Sequence, residues 1–184
     1  MELVKLTRDN IEQEHICCAI ANNNDVQVMS KKNWLRERLD EGLVILSSKK
    51  KKGFLSDPKY MKHKGFETVD TAQRYFELIH LPFDESVEKP HFKNSVHTHE
   101  NMPKGFSLYY ISQCPFTAKY VPLLEELAKT RGVDFQVAHI QSREEAQNAP
   151  APFTTFSLFY DGQFVTHEIL SEKKFEKILA SKGL

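Results

Sequence analysis

Asp161-Gly162 is the strongest local constraint in this chain. The pair stands between two alternating runs, Thr154 to Tyr160 and Gln163 to Ile169. A two-residue Asp-Gly loop in that setting specifies a β-hairpin, because both residues accept the positive φ that a tight turn between twisted strands demands. The elements around the hairpin follow from simpler signals. Ser107 to Ile111 alternates as a strand, Pro115 to Thr130 has a helical period and is stopped by Gly132, and Asp134 to Ile140 is a second strand. A short helix is expected over Arg143 to Gln147, and Ser171 is placed to cap a last helix to Ala180.

The first half is also mixed α/β. Leu3 to Leu6 is a strand candidate, and Thr7 or Asp9 offers a cap for a helix toward Ile20. A second helix, Lys31 to Glu41, puts Trp34, Leu35 and Leu39 on one side and ends at Gly42. Leu43 to Ser47 then reads as a strand, Asp57 to Lys64 as a helix closed by Gly65, and Phe66 to Val69 and Tyr75 to Leu81 as strands. From Pro82 to Pro103 the periodicity disappears while Pro, His and Asn accumulate, the composition of a linker or an irregular flap. The expected division is residues 1–83, a linker over 84–104, and a second module over 105–184.

Several function classes are disfavoured at once. Of 184 residues, 40% are apolar and 27% charged, and the formal net charge is zero, so the chain lacks the overall field of a protein built to hold nucleic acid or an anionic membrane. There is no apolar run of about 18 residues and no basic-then-apolar leader. Three cysteines, with Cys17 and Cys18 adjacent, supply no disulfide framework and suit a reducing compartment. A cytoplasmic protein is expected. The seven glycines are far apart, so no two of them build one phosphate-cradling loop on a helix N-terminus.

Cys114-Pro115-Phe116-Thr117 marks the passage from strand to helix in the second module. Pro115 suits the first helical position, which leaves Cys114 at the N-cap beside free backbone N–H groups, where a thiolate is favoured. Element order and turn together resemble a thioredoxin-like domain, and the turn resembles that of glutaredoxins with Thr117 in place of the second cysteine. That resemblance implies single-thiol chemistry at most, and a cis-proline before the hairpin, for which Pro152 is the candidate and Pro150 the alternative. The competing reading makes Cys114 a small apolar residue in a fold without redox chemistry.

Glu14 to Ile20, Ser112 to Thr117 and Glu145 to Pro150 together resemble the YoaP-type family, in which a GNAT acetyltransferase domain precedes a thioredoxin-like YoaP domain. The resemblance implies an α/β protein, a shortened GNAT-like mixed sheet followed by a thioredoxin-like domain, and a cytosolic N-acetyltransferase moving an acetyl group from acetyl-CoA to an amine. The acceptor implied is a small molecule or peptide. The chain departs from the family pattern in its middle: Leu43-Val44 runs straight into Ile45 to Ser48, which resembles a later strand, and the Gln/Arg-x-x-Gly-x-Gly/Ala coenzyme loop is missing. Weak coenzyme affinity is therefore expected, because acyl transfer depends on anchoring the donor and polarising its carbonyl. A family tyrosine four residues before a Gly-Phe pair protonates the leaving thiolate. Here Met61 holds that place before Gly65-Phe66, and Tyr60, one residue off, is the candidate; one residue turns a helical side chain by about 100°.

The remaining clusters have plainer readings. Cys17 and Cys18 with His15 lack the partners that would complete a metal site, and His91, His97 and His99 read as a solvated loop although His97-Thr98-His99, if extended, offers two ligands; no metal is expected. Lys49 to Lys52 reads as a solvated loop, and Glu125, Glu126, Glu144 and Glu145 as exposed helix faces. Three functions stay open: acetyl transfer, monothiol redox work by Cys114, and a non-catalytic module binding a partner through a groove near Phe116 and Phe153. A shortened sheet also leaves open edges, which a second copy of the chain could cover.

Overall fold

A computed structural model describes residues 42–184 apart from 51, 54, 85, 87, 100, 101 and 113. The strand and two helices expected before Gly42 lie outside the described residues. The elements are β1 (Gly42–Ser48), α1 (Pro58–His63), β2 (Glu67–Ala72), β3 (Phe76–Pro82), β4 (Phe106–Tyr110), α2 (Pro115–Thr130), β5 (Phe135–His139), α3 (Arg143–Gln147), β6 (Phe156–Tyr160), β7 (Gln163–Thr166) and α4 (Glu172–Ser181). This is the mixed α/β architecture expected.

The strands form two sheets. One is three-stranded and antiparallel in the order β1-β3-β2; the other is four-stranded in the order β5-β4-β6-β7. In the second sheet β4 and β5 are parallel, so the chain between them has to cross over, and α2 makes that crossing. The β6–β7 turn is the Asp-Gly hairpin: Asp161 has φ 47° and Gly162 φ 73°, the left-handed conformations that a two-residue loop requires.

Alternation along the strands of the second sheet divides its two faces. Phe106, Leu108, Phe156 and Leu158 join Val121 and Leu124 of α2 and Phe175 and Leu179 of α4 in one buried cluster. The intervening residues face the other way, and there Phe159 and Phe164 share a cluster with Phe76 and Leu78 of β3. Phe76 and Phe164 meet edge to face with ring centroids 5.4 Å apart, and Phe159 and Phe164 do so at 5.5 Å. The first sheet thus packs on the face of the second that the helices leave uncovered.

The stretch expected to be a linker adds to that shared core. Phe92 and Val96 are buried in it, Val96 ending a 3-10 turn over Asn94–Val96. The Phe92 N–H donates to Asp70 Oδ2 at 2.7 Å, and the Gln73 amide donates from Nε2 to the carbonyls of Val96 at 2.7 Å and Pro150 at 3.0 Å.

A polar latch completes the contact. His167 is buried, with Nε2 2.9 Å from the Gly53 carbonyl and Nδ1 2.5 Å from the Tyr75 hydroxyl. A carbonyl only accepts, so Nε2 carries the proton, and Nδ1 accepts from Tyr75. The ring is neutral in this arrangement, and burial holds its pKa below the ordinary 6.5. Burial likewise pushes the Tyr75 phenol up to about 12. His167 also explains why β7 stops at Thr166, although alternation continues to Ile169: its ring turns inward to the latch instead of continuing the ladder.

Two outcomes follow from this core. Phe159→Ala empties a fully buried site between the sheets and is expected to cost about 3–5 kcal/mol in a urea titration. Acidification is expected to weaken the fold through His167. The unfolded ring takes up a proton as pH falls past 6.5, whereas the folded ring resists until its lower pKa is reached, so stability declines through that window and then levels off. His167→Gln is expected to flatten that part of the pH profile; an unchanged slope would sink the assignment.

Candidate functional site

The Cys114 turn is built as its residue types suggest. Cys114 is the N-cap of α2, with φ −90° and ψ 121°, and Pro115 is the first helical residue. The thiol is half-buried and makes no capping hydrogen bond, while Phe116 beside it is 59% exposed. Thr117, at the position of a resolving cysteine, is fully buried. Its Oγ1 lies 2.6 Å from the carbonyl of Ile111 and 2.6 Å from that of Cys114, so its single hydroxyl proton serves the end of β4 and the start of the helix in turn. Thr117 therefore ties the turn shut with a hydrogen bond.

Pro152 is at the same end of the sheet. β6 runs antiparallel to β4 with Tyr110 opposite Phe156, and the Ile111 N–H reaches the Thr155 carbonyl at 3.4 Å, so the segment leading into β6 starts beside the residues that lead into Cys114. Pro152 is buried there. The cis bond expected at Pro152 or Pro150 is corrected: no peptide bond among the described residues is cis. The course of this segment is instead held from outside, by Gln73 and by His99, whose Nε2 lies 2.9 Å from the Pro150 carbonyl.

Neighbouring residues that sequence reasoning missed complete this end of the sheet. His139, the last residue of β5, stacks on Tyr110 with ring centroids 4.7 Å apart, and its Nε2 is 2.7 Å from the Ser112 hydroxyl. Gln141 Nε2 is 3.1 Å from His139 Nδ1. Nothing local marks them; only the parallel pairing of β4 with β5 brings Ser112 and His139 together.

Tyr60 is elsewhere. It sits on α1, 57% exposed, with the Lys64 ammonium 5.5 Å from its ring centroid, and it is not brought to the Cys114 turn by any described contact. The basic run divides: Lys49 and Lys50 are exposed, and Lys52 places its ammonium 4.8 Å from the centroid of Tyr75. His99, expected in a solvated loop, is half-buried and packs edge to face on Phe159, with centroids 5.1 Å apart, because the stretch over 84–104 is drawn into the core. No group of three or more His, Cys, Asp or Glu residues able to hold a metal occurs among the described residues. None of the described helices is long and apolar enough to cross a membrane.

The first sheet bears on the coenzyme that the sequence resemblance implies. β1 pairs with β3 in unbroken register from Gly42 opposite Pro82 to Ser48 opposite Phe76. Those two strands do not splay, and no described loop brings glycines together to present amides to a diphosphate. The described residues therefore do not fit acetyl-CoA.

Comparison with known proteins places the chain in a family. A sequence profile described as YoaP-like matches residues 134–177, from the start of β5 into α4, beyond the Cys114 turn. A protein of Bacillus subtilis (strain 168) named Uncharacterized N-acetyltransferase YoaP is 33% identical over 244 residues, which cover 96% of this chain and 97% of that protein. The chain belongs to the YoaP family. The aligned span is longer than the 184 residues of this chain, so part of the relative has no counterpart here. No solved structure matches.

The geometry of the turn is open to a chemical test. Thr117→Cys puts a second thiol where Oγ1 now meets the Cys114 carbonyl, and diamide is expected to join it to Cys114 with loss of two hydrogens. Peptide mapping would detect the link, and its absence while both thiols remain alkylatable would contradict the turn described.

Proposed function

We propose that this chain is an N-acetyltransferase-type protein of the cytoplasm, its reaction class the transfer of an acetyl group from acetyl-CoA to an amine on a small molecule or peptide, with a weak hold on the coenzyme. The observation that carries the reaction class is the 33% identity, spread over 96% of the chain, to a protein named as an N-acetyltransferase. The weak hold is supported by the continuous β1–β3 ladder and by the scattered glycines. Acyl transfer needs the donor anchored and its carbonyl polarised, and residues 42–184 offer neither part in the positions described. No step of the transfer is assigned to them.

In this reading residues 1–83 are a shortened GNAT-like part and residues 105–184 a thioredoxin-like module. Support for the second comes from the order β5-β4-β6-β7, with one parallel and two antiparallel pairings, and from a cysteine at the first strand-to-helix turn. Among the described residues β1 and β2 edge the first sheet and β5 and β7 the second, and pairing of a second copy of the chain on such an edge is part of this reading.

Titration with acetyl-CoA by calorimetry is expected to show no saturation below about 1 mM. Micromolar binding would overturn the weak hold. Thiol release from millimolar acetyl-CoA with a panel of small amines and lysine peptides reports the reaction class separately. Slow turnover that depends on both protein and amine is expected, and none with any amine would count against acetyl transfer.

A further inference from the structure

Of the four edge strands among the described residues, β1 is the one without protection. Gly42 to Leu46 contains no charge and no proline, and it pairs with β3 without a bulge. Such an edge offers its free N–H and C=O groups to any other strand, which is why natural sheets blunt their edges. The other three are blunted. β2 carries Glu67 and Asp70 and a break in register between Thr68 and Asp70; β5 exposes Gln136, Ala138 and His139 among its five residues; β7 is four residues long.

Among the described residues no named strand lies on the side of β1 turned away from β3. A single parallel bridge between Ser47 and Ser56 closes the far end, where the Ser47 hydroxyl donates to the Ser56 carbonyl at 3.1 Å. Burial falls off toward this edge. Leu78, Ile79 and His80 of β3 are buried, whereas Leu46, Ile45 and Val44 opposite them are half-buried. Side chains alternate between the two faces of the sheet, so one further strand beside β1 would cover apolar atoms on both.

The residues that flank β1 select that strand. Asp40 and Glu41 come directly before it in the sequence and Lys49 to Lys52 directly after it, with Lys49 and Lys50 exposed. A strand with an acidic entrance and a basic exit is complementary to a second copy of itself run antiparallel, because each acidic end then meets the other's basic end. Run parallel, like ends would meet.

We propose that two copies of the chain join through β1, antiparallel about a two-fold axis at Val44, making one six-stranded sheet from two three-stranded ones. Leu43 stands opposite the partner's Ile45, and Asp40 and Glu41 lie toward the partner's Lys49 and Lys50. The same surface is used by both copies, so the contact closes and assembly stops at a dimer. This inference rests on the second copy in the reading above and names its edge and its direction.

The test is sedimentation velocity on the full chain. A dimer of twice 21.3 kDa is expected. Lys49→Glu with Lys50→Glu, both exposed positions, and separately Asp40→Lys with Glu41→Lys, are each expected to weaken dimerisation at least about tenfold with far-UV circular dichroism unchanged. Mixed one to one, the two variants are expected to regain the original affinity to within about threefold, because each then meets opposite charge at both ends. A monomer at about 100 µM would overturn the pairing of copies altogether. A dimer that neither variant weakens would overturn the β1 edge while leaving a second copy on another edge, and variants that weaken it but do not rescue each other would overturn the antiparallel direction.

Discussion

The aromatic contact between the two sheets is the constraint on which the rest of this structure depends. Phe76 comes from the first sheet, and Phe159 and Phe164 from the second, and each is at or near complete burial. The central strand of the first sheet is buried on both faces, Phe76 and Leu78 toward the second sheet and Glu77 and Ile79 at the alternate positions, while among the described residues the helices α2 and α4 pack on one face of the four-stranded sheet. The first sheet supplies the apolar cover for the other face of the second. The Tyr75–His167–Gly53 latch adds a polar tie across the same contact, with both ring nitrogens of the buried imidazole engaged.

That packing explains why the features of functional interest lie where they do. The Cys114 turn occupies the end of the second sheet at which parallel β4 and β5 terminate, and stays half open. An open cleft lined by Gln73, Arg74, His97, His99 and Gln163 lies where the β2–β3 turn, the stretch over 84–104 and the β6–β7 hairpin meet. The YoaP-like profile over residues 134–177 covers β6 and β7, which supply Phe159 and Phe164 to the interface, and His167 just after them. It reaches the contact between the sheets and leaves out the cysteine turn.

Much of the local structure was legible beforehand, and for identifiable reasons. The bounds of α2, Pro115–Thr130, agree with the expectation because a proline at the first position and a glycine beyond the end act within a turn or two. The same holds for the Asp-Gly hairpin, and the helix expected over Asp57 to Lys64 is α1, Pro58–His63, with Asp57 outside it as the cap whose carboxylate accepts the Lys59 N–H at 2.9 Å. Strand ends were less legible. β6 begins at Phe156 and not at Thr154, and Ser157 Oγ donates to the Phe153 carbonyl just ahead of it.

By itself, the sequence determined the alternation of strands and helices, the two turns that orient the second sheet, and the residue types at the cysteine turn, all of which rest on interactions among residues close along the chain. Tertiary structure alone decided which apolar faces meet, that Phe92 and Val96 are buried in a core and His99 packs on Phe159, and that Tyr75 and His167, 92 residues apart, are hydrogen-bonded. The physical reason is that periodicity tells which side of an element avoids water, whereas the partner it finds there is set by the packing of the whole chain, which no local pattern encodes.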